Sequence, residues 1–201
     1  MLRQCTGVMI VALSCAGCSS NDRDTTANRD RPVDQDNRAT TNGPNSAEAR
    51  ILSLLHAKNQ EEIEAGRLAR ERGQSQQIRD FGAQLVRDHT DADARVRSVA
   101  NQSNVTLMSP AEFKRMSREE MGGGGARESD KDTLAQLRQL RGAEFDREFT
   151  VSMRKGHREV VQKIQRARNE VSDQRVLALL DEVLPVYRNH AAMAMNLNDE
   201  R

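Results

Sequence analysis

From Asn45 onward the apolar residues of this chain return every three or four positions, and no segment sustains an apolar-polar alternation. That spacing sets them on one stripe of an α-helix and argues against half-buried strands, whose side chains alternate between two faces. The expected fold is all-α. A first helix starts near Asn45, a candidate cap with Glu48 placed to close a capping box, and runs to about Arg72 before Gly73. Its seam is Leu55, Glu62, Ala65 and Ala69. A second starts after Ser75 and reaches about Ser103, with Ile78, Leu85, His89, Ala92, Val96 and Val99 in heptad-like register.

A third long helix begins with a segment near Asp132 to Arg141, steps at Gly142 and continues from Ala143 to about Asn169. Phe149, Met153, His157, Val160, Ile164 and Ala167 face inward. Asp173 is a cap for the fourth, which carries Leu177, Leu180, Val183, Tyr187, His190, Ala194 and Leu197 on one face. Pro185 lies inside it and is expected to open or kink the turn before Tyr187 and His190.

Short loops at Gly73 and near Ser172 predict antiparallel neighbours, whereas the stretch from about Asn104 to Lys131 is long. The architecture is an antiparallel four-helix bundle with a long helix 2 to helix 3 crossover. Ser109-Pro110-Ala111-Glu112 predicts a short helix in that crossover, setting Phe113 and Met116 over one end of the bundle. Gly122 to Gly125 end it. No Lys-Ser or Lys-Thr follows them, so they read as a flexible connection and not a phosphate loop.

The N-terminal residues carry a different signal. Arg3, the apolar run Val8 to Leu13 and the segment Cys15-Ala16-Gly17-Cys18 form an export signal over residues 1–18, too short to span a bilayer as a stable helix. Ala16-Gly17 before Cys18 is similar to the bacterial lipobox, in which the cysteine is acylated and becomes the new N-terminus. Cys5, Cys15 and Cys18 are the only cysteines, so a chain cut before Cys18 has no disulfide. Ser19 in place of Asp implies transfer to the outer membrane, by resemblance to Gram-negative lipoproteins. Residues 19–46 are polar, with Val33 the sole sizeable apolar side chain, and read as a disordered tether reaching about 30 Å. The bundle then occupies residues 47–201 and faces the periplasm.

Composition removes several functions. With 31 basic and 30 acidic residues the net charge is +1, so no nucleic-acid partner is expected. One tyrosine, four phenylalanines and no tryptophan leave little for an aromatic stacking platform. Gly-x-Ser-x-Gly, His-Glu-x-x-His and dinucleotide-binding glycine patterns are all missing.

The informative residues are polar ones on apolar seams. Three of four histidines, His89, His157 and His190, fall on the inner faces of helices 2, 3 and 4, and Glu62 falls on that of helix 1. Asp146 shares the face of His157 at about 16 Å by helix rise. Buried without partners, each neutral group would cost about 1–3 kcal/mol and a charge more. Two readings are open. The histidines hydrogen-bond to Glu62, Asp146, Tyr187 or backbone freed by Pro185 and fix helix register. Alternatively Glu62, His89, His157 and His190 hold a transition metal such as zinc, iron, copper or manganese, with Asp146 and Tyr187 supporting them. His56 is on neither seam and is assigned to the surface, and Asp88, Asp91 and Asp93 to an acidic solvent face.

The ordered pieces Glu61-Glu62-Ile63-Glu64, Arg87-Asp88-His89-Thr90, Arg141 to Arg147, Met153 with Gly156-His157, and Leu184-Pro185 with His190 resemble the DUF4142 family from about Ile51 to Leu197. The resemblance implies a ferritin-like four-helix bundle in an exported bacterial protein, with polar positions recurring at Glu62, His89, Asp146, His157 and His190. Ferritin-type di-iron sites use Glu-x-x-His pairs. Here the residues three before the histidines are Ser53, Val86, Arg154 and Tyr187, which argues against such a centre. The expected function is that of an envelope lipoprotein, membrane-attached through Cys18, whose bundle binds or supports and does not turn over a substrate. A metal-binding bundle and a module for an envelope protein partner are the alternatives.

Overall fold

A computed structural model describes Gly43, residues 46–120 and residues 133–199. Cys18, the export signal, most of the tether and the glycine run of the crossover lie outside the described residues. Within them are six helices and no strand: α1 (Ala47–Arg72), α2 (Gln76–Gln102), α3 (Pro110–Glu120), α4 (Thr133–Leu137), α5 (Gly142–Ala167) and α6 (Gln174–Asp199).

Helix starts follow the local chemistry with one correction. Ser46, not Asn45, caps α1 by accepting from the Ala49 N–H at 3.1 Å. Glu48 lies two residues after this cap, not three. It is buried and accepts from the Ser172 N–H and hydroxyl, at 3.0 and 3.2 Å, across the bundle. Ser75 caps α2 through the Ile78 N–H. Ser109 and Glu112 form the expected reciprocal box on α3, with Pro110 at its first position. The step before α5 comes at Gly142, whose φ of +59° is a left-handed conformation open to glycine.

The hairpins α1–α2 and α5–α6 pack against each other through α2 on α6 and α1 on α5. At one end, called upper here, the α1–α2 turn meets the start of α5: Gly73 bridges Gly142, and the Asp146 carboxylate accepts the Gln74 and Ser75 N–H groups at 2.8 and 3.0 Å. At the lower end Glu48 ties the start of α1 to the α5–α6 turn, and Arg175 of α6 donates to the last carbonyl of α2, that of Gln102. Helices α1 and α6 therefore rise while α2 and α5 descend. The four long helices each pack against antiparallel neighbours, and α2 finishes at the lower end while α5 begins at the upper, which is the ferritin-like arrangement.

Two apolar clusters fill the interior. The lower contains Leu52, Leu55, Val96, Val160, Ile164, Leu180 and Tyr187 among others, with Phe113 of α3 packed against it. The upper contains Ile78, Phe81, Leu85, Phe145, Phe149 and Ala194. Each large side chain buried this way contributes about 1.5–3 kcal/mol. The helix α6 continues through Pro185 without a break, because the proline lies on the exposed face and its missing donor leaves no buried carbonyl.

Helices α1 and α2 approach closely where two glycines face each other. A Cβ on Gly82 would stand 2.7 Å from both Ala69 Cβ and the Gly66 carbonyl oxygen, and one on Gly66 would stand 2.6 Å from the Gly82 carbonyl oxygen. Backbone cannot yield there without separating the helices. Gly82→Ala is expected to destabilise the bundle by about 1–3 kcal/mol, seen as a lower urea midpoint. An unchanged midpoint would contradict the close approach.

Candidate metal centre

Glu62, His89, His157 and His190 lie 13 to 16 residues into helices of 26 or 27 residues. Helices that start at opposite ends but have equal lengths bring such positions to the same height, halfway up the bundle. All four side chains meet there, between the two apolar clusters. The three imidazoles are fully buried and Glu62 is 4% exposed.

The reactive atoms converge closely. Glu62 Oε2 stands 2.5 Å from His89 Nε2 and 3.1 Å from His157 Nε2. His157 Nε2 is 3.4 Å from His89 Nε2 and 3.2 Å from His190 Nδ1. One nitrogen from each ring falls within 4.8 Å of those of the other two. A tetrahedron with corners about 2.0–2.1 Å from a zinc ion has edges of about 3.3–3.4 Å. Three of these four separations sit near that edge, and the Glu62–His89 contact would have to lengthen.

The far side of each ring explains which atoms face inward. His157 Nδ1 is 2.8 Å from the Met153 carbonyl oxygen, His190 Nε2 is 2.8 Å from Asp88 Oδ2, and His89 Nδ1 is 2.9 Å from Asn59 Oδ1. All three partners are acceptors, so each outward nitrogen carries a hydrogen, and any ring that is neutral turns a lone pair to the centre. With all three rings neutral, three lone pairs and a carboxylate oxygen confront one another in a buried volume. Glu62 Oε2 forms no hydrogen bond of acceptable angle despite its two short contacts. A cation at the centre resolves this repulsion, either a proton or a metal ion. Metal-bound histidines characteristically donate their second N–H to an oxygen in this way.

Aromatic contacts hold the rings. Phe81 meets His190 edge-on at 6.1 Å, and Phe149 meets Phe81 at 5.9 Å, so the upper cluster buttresses the site. Tyr187 packs 5.4 Å from His89 and donates its hydroxyl to Asn59 Oδ1 at 3.0 Å.

Several expectations change. Asp146 lies three turns above His157, where it holds the α1–α2 turn. Tyr187 and His89 share the Asn59 Oδ1 atom as their partner. His56 is not a bare surface residue, since its Nδ1 lies 2.6 Å from Asp93 Oδ1. Asp93 is itself buried and also accepts from Gln60. Asp88 is half-buried and holds His190. No histidine uses backbone freed by Pro185. Sequence reasoning overlooked Asn59, although its place three residues before Glu62 puts it on the same helical face. Asp88 escaped because it neighbours His89 and so points about 100° away from the α2 seam.

Electrostatics of the metal-free centre are those of an ion pair. Burial opposes ionisation of Glu62, but His157 and His89 outweigh it and hold the carboxyl well below its usual range. Burial likewise disfavours charge on His157, and Glu62 overcomes it to raise that ring. His190 is pushed down to about 4 by burial and then by His89, against the pull of Asp88. Burial and then Glu62 raise the Tyr187 phenol well above its ordinary value.

The family model described as a domain of unknown function, DUF4142, matches residues 33–197. The chain belongs to the DUF4142 family. No curated protein and no solved structure matches it. Within this DUF4142 domain all four centre residues fall inside the matched span.

The pKa directions predict the pH dependence of the metal-free domain. His190, lowered to about 4, contributes stability that is lost as pH falls from about 6.5 to 4, where the unfolded chain takes up the proton first. Glu62 adds to that acid loss once pH drops below its ordinary value of 4.5. His157, raised above 6.5, stabilises fully below that value and loses its contribution as pH climbs through its folded value. Urea midpoints in chelator should therefore pass through a maximum near pH 6.5, and a midpoint flat from pH 5 to 8 would refute the buried ion pair.

Proposed function

We propose that this domain binds one divalent first-row transition metal ion at the centre of its bundle, through His89 Nε2, His157 Nε2, His190 Nδ1 and Glu62 Oε2. The observation that carries this reading is the orientation of the rings: each outward nitrogen meets an oxygen acceptor, and the inward nitrogens lie within 4.8 Å of one another in a buried layer. Three imidazoles and a carboxylate suit zinc, and also iron, copper or manganese. For zinc, four protein ligands in a water-excluded layer leave no open position, which is the pattern of a structural or retaining site and not of a hydrolytic one. The ion would tie one residue from each long helix to a common centre, so the domain's role is binding and support.

The ion pair of Glu62 with His157 supports a second reading, a metal-free polar layer that fixes helix register. Element analysis of the full chain purified without chelator separates the two. Roughly one metal equivalent per chain is expected, lost in His89→Ala with helicity retained by circular dichroism. Metal at a hundred times its dissociation constant stabilises by about 2.7 kcal/mol, so chelator should lower the melting temperature. Metal-free protein whose melting ignores chelator would favour the polar layer.

We further propose that Cys18 is acylated and anchors the bundle to the outer membrane facing the periplasm, as the lipobox-like Ala16-Gly17-Cys18 suggests. Cys18→Ser should release the protein from membranes into the soluble fraction. Continued attachment would contradict the anchor.

A further inference from the structure

Ligands in a closed layer raise the question of how an ion reaches them. His89 ends outward on Asn59, which is 1% exposed, and His157 ends on the backbone of Met153, which is 5% exposed. Only His190 differs. It faces the centre with Nδ1 and presents Nε2 to Asp88, whose side chain is 33% exposed. One imidazole thus spans the distance from the buried centre to a carboxylate in contact with solvent.

We propose that Asp88 is the gate of this centre: a hydrated divalent ion is captured first by the Asp88 carboxylate and passes to the buried ligands beside His190. This rests on the metal-binding reading above. The chemistry is ligand exchange coupled to loss of one proton: the hydrogen that His157 holds against Glu62 in the metal-free centre leaves to solvent as the ion takes its place. The ion sheds water as it gains Asp88 and then the imidazoles, and His190 keeps its hydrogen on Nε2 while Nδ1 supplies the lone pair. As the ion engages Asp88, the carboxylate no longer holds Nε2, and the ring can swing to let the ion pass. Once the ion is bound, the Asp88 contact reforms and fixes the ring, as outer partners of metal-bound histidines do.

The neighbouring buried carboxylate offers no second route. Asp93 is occupied by His56 and Gln60 at 2.6 and 2.9 Å, with Arg97 at 3.3 Å, and none of these is a ligand. Asp91 is exposed on the same helix and provides a charge control.

Stopped-flow uptake of cobalt(II) by the metal-free full chain, followed by visible absorption of the tetrahedral ion, tests the gate. Asp88→Asn keeps an oxygen acceptor for His190 but removes the charge. It should slow second-order uptake about tenfold or more while reaching the same final spectrum. Asp88→Glu should restore much of the rate, and Asp91→Asn should leave it unchanged. Equal uptake by wild type and Asp88→Asn overturns the gate alone, as does equal slowing by Asp91→Asn. A wild-type chain that develops no cobalt spectrum overturns the metal reading and the gate with it.

Discussion

A buried carboxylate surrounded by imidazoles is the constraint around which this bundle is organised. Glu62 lies in a layer where water cannot solvate its charge, and an ionised carboxylate there costs several kcal/mol unless a cation answers it. Two rings stand within 3.1 Å of its oxygen, and the third joins through His157. The cation required by this cluster can be a shared proton or a metal ion, but it cannot be omitted. That requirement accounts for the oxygen acceptors behind the rings and for the Asn59–Tyr187 pair that steadies His89.

The layer divides the interior into two apolar clusters, and each end is closed by a carboxylate capping backbone from a different hairpin. Glu48 closes the lower end on the α5–α6 turn, and Asp146 closes the upper on the α1–α2 turn. These contacts set the helices' relative heights. A displacement of one turn would move a ligand by about 5.4 Å, more than the whole span of the ring nitrogens. The end caps and the central cluster therefore enforce one another, which places Asp146 among the residues that align the site without touching it.

Much of the bundle was legible from periodicity because a 3.6-residue repeat acts locally: the residues on each seam report their own helix without reference to the others. Ile78, Leu85, His89 and Val96 were readable on α2, and Phe149, Met153, His157 and Ile164 on α5, and all are buried. Glu48 at the capping-box spacing favours Asn45 as the α1 cap, whereas the adjacent Ser46, an equally good capping residue, takes the role. Asp146 shares the face of His157 yet meets the α1–α2 turn three turns higher, since a helical face specifies direction and not height.

The sequence by itself determined four long amphipathic helices and the polar residues on their inner faces, because side-chain direction along a helix follows from spacing alone. Only the tertiary structure decided that those residues share one level, which ring nitrogen faces the centre, and that Asp88 and Asn59 stand behind the histidines. Those facts depend on the relative height and rotation of packed helices, set by contacts between residues as far apart as Glu48 and Ser172, and no local period encodes them.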